Sequence, residues 1–177
     1  QTPTKVDVIH PEISQNFQYI TLIGTVEAEQ HAQLAPLQSG VVETLYVEIG
    51  DHVEKGQPLL ALDAKLANLS VTQSQASVVA AKATKAEAQR LYQEVIALSE
   101  KQVVAQTLIA ERHSMVAVAT AELKHANALL LEQQEVAKRH TLYAPFAGVI
   151  AKRNANLGEW VTQQNSVFTL VEQDKLR

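Results

Sequence analysis

A stretch of 86 residues between Pro58 and Pro145 contains neither glycine nor proline. Both residue types disfavour helix interiors, so a segment of this length without them predicts long helices. All six glycines and the remaining prolines lie in the two flanks, among short apolar runs of the kind found in strands. We therefore predict a chain that is β, then long α, then β.

The second half of this stretch carries a regular apolar repeat. Its positions are 109, 112, 116, 119, 123, 126, 130, 133 and 137, and seven of the nine are apolar. Spacings that alternate between three and four are typical of a coiled-coil seam. In the first half, Leu91, Val95 and Leu98 show the same spacing. Alanines dominate its earlier part, at positions 76, 80, 81, 83, 86 and 88. We predict two antiparallel helices over 64–140, each about 36 residues and about 54 Å long. A helix pair inside a larger bundle is the alternative, but little chain remains to cover one.

The turn between the two helices is predicted at 101–106. The adjacent β-branched residues Val103 and Val104 interrupt an otherwise helix-favouring sequence there. Thr107 is then expected to cap the second helix with its hydroxyl. Basic residues at 138–140 suit the negative C-terminal pole of that helix, and strand-like residues follow at 141–143.

The two flanks repeat each other at an offset of 108 residues. Gly40 corresponds to Gly148, Gly50 to Gly158, and Val53 to Val161. Gly50 and Gly158 are each expected to form a turn in which the glycine has a positive φ. One such unit cannot bury its apolar face alone, whereas two folded face to face can form a small sandwich. The helices would leave one half of that sandwich and return to the other, so the hairpin must project from it.

Composition excludes several classes of function. The net charge is −4 and the pI about 5.9, which argues against a nucleic-acid partner. There is no cysteine, and no pair of the six histidines has the HxxxH or HExxH spacing. A single methionine does not support a methionine-based metal site. We expect no catalytic residues, no cofactor and no metal site, and we predict that the protein is not an enzyme.

The repeat around a hairpin resembles the membrane fusion proteins, the periplasmic adaptors of tripartite efflux pumps. The segments that carry the resemblance are 36–42, 47–60, 144–150, 158–161 and 171–176. It implies an α+β fold in which a split lipoyl-like β-sandwich is interrupted by a long antiparallel α-helical hairpin, with a partial β-barrel and membrane-proximal N-terminal segment. The implied domains are N-terminal strands over 1–33, a first lipoyl half over 34–62, the hairpin over 63–140, a second lipoyl half over 141–172, and the start of a β-barrel over 173–177. Most of that barrel is expected beyond Leu176, so we expect the chain to be a piece of a longer protein.

The resemblance also implies a function and partners. Such an adaptor links an inner-membrane efflux transporter, here of the resistance-nodulation-division type, to a TolC-type outer-membrane channel, and several copies form a ring. It lies in the periplasm of a Gram-negative bacterium, anchored to or associated with the inner membrane. The hairpin tip would dock to the channel, and we assign to it Leu98, Lys101, Gln102, Val103, Val104, Ala105 and Gln106. The two valines could instead fold back and close the top of the coiled coil. The family's tip pattern of Arg, Leu and Ser falls here on Glu94, Leu98 and Ala105, so only the leucine matches.

The base of the hairpin is predicted to be its hinge. Asp63 and Ala64 on one side, and Thr141 and Leu142 on the other, pass between differently packed elements. We expect the seam to be stiff and this base to be flexible.

Two other functions remain open. An adaptor of an ATP-driven, HlyD-like export system would share the architecture. A biotinyl or lipoyl carrier would keep its modified lysine near Lys65, but in a carrier a tight hairpin joins the two halves directly, whereas here more than 80 residues intervene.

Overall fold

The computed structural model describes residues 3–5, 31–101 and 104–172. Within these ranges the elements are β1 (His31–Leu34), β2 (Gly40–Leu45), β3 (His52–Val53), β4 (Pro58–Leu62), α1 (Lys65–Ser99), α2 (Gln106–Lys138), β5 (Thr141–Tyr143), β6 (Gly148–Arg153), β7 (Trp160–Val161) and β8 (Phe168–Val171). The α+β class predicted from the sequence is confirmed. The segments 6–30 and 173–177, which the sequence assigns to membrane-proximal and barrel strands, lie outside the described residues.

The strands form two four-stranded sheets, and each sheet contains strands from both halves of the repeat. One has the order β1-β8-β6-β3 and the other β5-β4-β2-β7. The offset of 108 maps β2 onto β6, β3 onto β7 and β1 onto β5, so the repeat exchanges the two sheets. Val41 pairs with Trp160 in one sheet, and His52 pairs with Val149 at the equivalent place in the other.

The two glycine turns are held in the same way, each by the opposite half. Gly50 donates its N–H to the Ile150 carbonyl at 2.9 Å, and Gly158 donates to the Val42 carbonyl at 2.9 Å. Both glycines have positive φ, 92° and 79°. Neither half can complete its own sheet, which explains why two copies of the unit occur on either side of the hairpin.

The core lies between the two sheets and holds fourteen buried apolar residues from both halves. Phe168, Leu59, Leu60, Ile150 and Leu170 are its fully enclosed members. Short strands suffice because few side chains are needed from each, from Val53 alone in β3 to the three leucines of β4.

The helical hairpin is held by its seam alone. All nine seam positions predicted in the second helix are half-buried or buried. In α1 the inward positions are 67, 71, 74, 78, 81, 85, 88, 92, 95 and 99, again at alternating spacings of four and three. Within the two helices only Ser74 and Ala119 are fully buried, because a pair of helices without a third layer cannot enclose a side chain.

Three details of the predicted hairpin are wrong. Leu98 is exposed, because the seam continues from Val95 to Ser99 and turns Leu98 outward. Four of the six alanines expected to bring the helices together, at 76, 80, 83 and 86, are also exposed. Thr107 does not cap α2, since Ala105 occupies the N-cap position and no side chain caps it.

Candidate functional site

The end of the hairpin farthest from the sandwich is the first candidate site. Lys101, Ala105 and Gln106 are exposed there, Val104 is half-buried, and Leu98 is 46% exposed on the last turn of α1. The predicted tip residues Gln102 and Val103 lie outside the described residues. The seven predicted residues therefore include four exposed ones and one partly covered valine, close together in the chain.

Backbone hydrogen bonds close both helices at this end. The Lys101 N–H donates to the Leu98 carbonyl at 3.1 Å, and the Ser99 hydroxyl donates to the Ile96 carbonyl at 2.7 Å. The Ala105 carbonyl accepts from Leu108 at 3.0 Å and begins α2. No side chain caps α2, so the exposed side chains at the tip are free of that role.

Glu94 occupies the position of the arginine in the family pattern, and its carboxylate is already ion-paired. Arg90 donates to Glu94 at 3.1 Å and to both carboxylate oxygens of Glu87, at 2.8 and 2.9 Å. The hydrogen bond from Arg90 holds the pKa of Glu87 below its usual value, and Glu87 in turn raises the pKa of Arg90. This side of the hairpin thus presents an ion-pair cluster rather than the free cation of the family pattern.

The base of the hairpin connects to the sandwich through short, hydrogen-bonded segments. Leu62 donates its N–H to the His140 carbonyl at 2.8 Å, and Asp63 donates to the Val41 carbonyl at 2.9 Å. The Asp63 side chain accepts from the Lys65 N–H at 3.0 Å, and Ala64 is the N-cap of α1. The connection is two residues long on each side.

The four predicted hinge residues differ in their surroundings. Asp63 is exposed and Ala64 half-buried between β4 and α1, as expected of a linker. Thr141 and Leu142 instead belong to β5, where they pair with β4, and Leu142 is part of the core. The residues that actually join α2 to the sheet are Arg139 and His140.

Lys65 opens α1 with its side chain 77% exposed, and it lies 3.7 Å from the Asp63 carboxylate and 3.9 Å from that of Glu43. It belongs to a helix and not to a tight turn between two strands. This placement differs from the one a carrier lysine requires.

Among the described residues, no group of three or more histidine, aspartate or glutamate side chains is arranged to hold a metal ion. Over the same ranges, neither helix has a segment apolar and long enough to cross a membrane. Neither observation adds a site to the tip and the base.

The sequence prediction missed one feature, a groove on one face of the hairpin. It lies between the helices and is lined by Leu91, Met115 and Val118, with Glu87, Glu111 and Glu122 at its edges. The signal was present in the sequence, since Met115 and Val118 are large apolar residues that lie off the seam.

Comparison with known proteins assigns the architecture to a family. The family model described as CzcB-like, barrel-sandwich hybrid domain matches residues 30–172. A cation efflux system protein CzcB from an Alcaligenes species is 28% identical over 149 residues, which are 80% of this chain and 28% of that protein. A macrolide export protein MacA from Yersinia pestis is 29% identical over 111 residues, 62% of this chain and 29% of that protein. The chain thus spans less than a third of the length of these relatives.

Among solved structures, the membrane fusion protein Spr0693 from Streptococcus pneumoniae superposes with a TM-score of 0.68 at 20% identity, covering 86% of this chain and 66% of that one. At this identity the match supports the fold. The family model covers both halves of the sandwich and the hairpin between them, so the chain belongs to the membrane fusion protein family, as a CzcB-like barrel-sandwich hybrid domain.

Proposed function

We propose that this chain is the central part of a non-enzymatic adaptor that bridges an inner-membrane efflux transporter and a TolC-type outer-membrane channel. The observation that supports this most is the shape of the hairpin. Two helices of 35 and 33 residues project about 50 Å from a small sandwich. A pair of helices with no third layer cannot enclose a substrate, so its length serves to reach a partner.

The tip is the proposed contact with the channel. Lys101, Ala105 and Gln106 are exposed, and Leu98 adds an apolar surface beside them. Val103 and Val104 would supply further apolar contact by inserting between channel helices. Glu94 is held by Arg90, so we expect docking to rest on apolar contacts at the end of the hairpin rather than on an arginine of α1.

The remaining assignments follow the family. The sandwich and the segments 1–33 and 173–177 would place the chain near the inner membrane, where membrane-proximal and barrel domains bind the transporter. Several copies would form a ring, and the whole would lie in the periplasm of a Gram-negative bacterium. Asp63 and Ala64 are the proposed hinge on the α1 side, with Thr141 and Leu142 on the other side as the sheet end about which the hairpin tilts.

An adaptor for an ATP-driven, HlyD-like exporter is the second candidate. One relative is named for macrolide export and another for cation efflux, so the relatives differ in what they export.

Capture of the partners from cells tests the proposal and separates the two candidates. Tagged full-length protein, cross-linked in cells and purified, should carry both an inner-membrane transporter and an outer-membrane channel. The class of the transporter, resistance-nodulation-division or ATP-driven, then decides between the candidates. A matched variant in which a short turn replaces residues 65–138 should retain the transporter and lose the channel. Equal recovery of the channel by both proteins would contradict docking through the hairpin.

A carrier function makes a different prediction for the same purified protein. A covalent biotinyl or lipoyl adduct on Lys65 would appear in its intact mass. An unmodified mass is the result we expect, because Lys65 lies in a helix and pairs with Asp63 and Glu43.

A further inference from the structure

The groove on the hairpin is an apolar surface that nothing in the described residues covers. It measures about 510 Å³, a size within the range of ligand and peptide sites. Val118 is 58% exposed and Met115 42%, while Ala119 forms a buried floor. Exposed apolar side chains that line a groove make it a candidate contact surface.

The edges of the groove are acidic. Glu111 and Glu122 flank it on α2 and have no ion-pair partner among the described residues, and Glu87 flanks it on α1 in its pair with Arg90. Two such grooves placed face to face would bring these glutamates together. A two-fold dimer through the groove is therefore disfavoured, and the groove calls for a helix that carries apolar residues and positive charge.

This chain presents such a helix surface on the outer edge of α1. Val79, Ala83 and Ala86 are exposed there at spacings of four and three, and Val79 is 65% exposed. Lys82 lies beside them and has no ion-pair partner among the described residues. These positions lie off the seam, so they are turned away from α2 and open to a second molecule.

The two surfaces also lie at the same height on the hairpin. The rings of Tyr92 and His113 are in contact, with centroids 5.5 Å apart. This contact shows which residues of α1 and α2 lie side by side. Counting from this pair, Glu122 is level with Ala83, and Val118 is level with Glu87. Lys82 and Ala86 therefore lie within about one residue, roughly 1.5 Å, of the heights of Glu122 and Val118.

We propose that the groove of one copy receives the outer edge of α1 of a second copy, with Ala86 against Val118 and Lys82 against Glu122. The contact joins two different surfaces at equal height. Such a contact joins neighbouring copies without a shift along the hairpin, which is the geometry that a closed ring requires. The inference rests on the proposed ring of adaptors and specifies the lateral contact between neighbouring hairpins.

Disulfide cross-linking tests this contact directly, because the chain has no cysteine of its own. Ala86→Cys with Val118→Cys in one chain should give a ladder of covalent dimers and higher oligomers on mild oxidation. Within one molecule these residues lie on different helices, and Ala86 faces away from α2, so they are too far apart to pair. The matched control is Ala86→Cys with Thr120→Cys, because Thr120 has the same height but does not line the groove. It should give no ladder.

Charge reversal sharpens the test. Lys82→Glu or Glu122→Lys, added to the first cysteine pair, should lower the cross-linking yield about two- to fivefold, as expected for a single surface ion pair. The double reversal should restore it, because the opposite charges then meet again across the contact. Helical circular dichroism of each variant shows that the fold is intact.

Two results would overturn the proposal. Equal ladders from the two cysteine pairs would show that the contact is not specific, and absence of a ladder from the first pair would show that it does not form. No transporter or channel is present in the assay, so its outcome is independent of the partner capture that tests the adaptor function.

Discussion

The sandwich and the hairpin of this protein are built on different principles. In the sandwich, fourteen residues from both halves form one enclosed core, and five of its members are completely buried. In α1 and α2, which are described throughout, only Ser74 and Ala119 are buried, and all other seam residues keep part of their surface in water. The sandwich therefore depends on a few large side chains, whereas the hairpin distributes its stability along many small contacts. A long arm of this kind tolerates change along its length and suits a reaching function.

The largest expected effect comes from truncating the core. Phe168→Ala should destabilise the sandwich by about 3–5 kcal/mol, because a fully buried aromatic ring leaves a cavity. Leu123→Ala removes a half-buried seam residue and should cost the hairpin roughly half of that or less. The measurement is urea denaturation with two signals, the fluorescence of Trp160, the single tryptophan, for the sandwich and circular dichroism at 222 nm for the helices. Equal losses in both variants would show that the two regions are not built differently.

A second effect should distinguish the two halves of the repeat. A Cβ at Gly148 would collide with the Val171 carbonyl oxygen, whereas at the equivalent Gly40 the nearest atom is Leu62 Cβ at 3.6 Å. Gly148→Ala should cost about 1–3 kcal/mol, because the backbone of β8 must move, and Gly40→Ala less than about 1 kcal/mol. The same denaturation measurement compares the two variants, and a Gly40→Ala loss as large as that of Gly148→Ala would contradict this account of the strand packing.

The two glycine turns should behave alike. Gly50 and Gly158 have positive φ and open space around the missing Cβ, so strain and not crowding opposes a side chain. Gly50→Ala and Gly158→Ala should each destabilise the sandwich by roughly 1–2 kcal/mol. Thermal melts of the two variants should agree closely. A clear difference between them would mean that the pseudo-symmetry of the hydrogen bonds does not extend to their energies.

The smallest effect concerns pH and the hairpin. The pKa of Glu87 is lowered in the folded protein by its hydrogen bond from Arg90. The stability that this bond contributes is therefore present above the ordinary glutamate pKa and is lost as the pH falls through the lowered value. The pair is fully exposed, so the loss should be slight and should weaken further in high salt. Acid titration of helicity in the wild type and in Glu87→Gln measures this loss of stability. Identical curves would show that the ion pair does not contribute to it.

Much of the architecture was readable in the sequence, and the reason is geometric. The absence of glycine and proline over 86 residues predicted helices. The offset of 108 between Gly40 and Gly148 predicted two units that complete each other. The strand pairs Val41–Trp160 and His52–Val149 are related to each other by that offset.

The register of α1 was harder to predict. Its alanines occur on every side of the helix, so Ala81 and Ala88 face the seam while Ala83 and Ala86 face water, and small side chains give no clear periodicity. The same ambiguity placed Leu98 in the seam. On the other side of the hairpin base, Thr141 and Leu142 belong to β5, where their β-branched and aliphatic side chains suit a strand, and Arg139 and His140 form the connection.

The proposed docking through the tip is tested most directly by substitution there. Val103→Asp with Val104→Asp in the full-length protein should leave the helices and the sandwich folded, since α1 ends at Ser99 and α2 begins at Gln106, so neither substitution falls within a helix. Docking should fail, because each buried valine contributes roughly 1.5 kcal/mol and the loss is multiplied around a ring. A matched double substitution on the exposed side of α1, Ala76→Asp with Ala80→Asp, controls for added charge. The measurement is the susceptibility to the exported compound of cells that depend on this protein. We predict sensitive cells with the tip variant and resistant cells with the control, and full resistance with a folded tip variant would contradict docking through these valines.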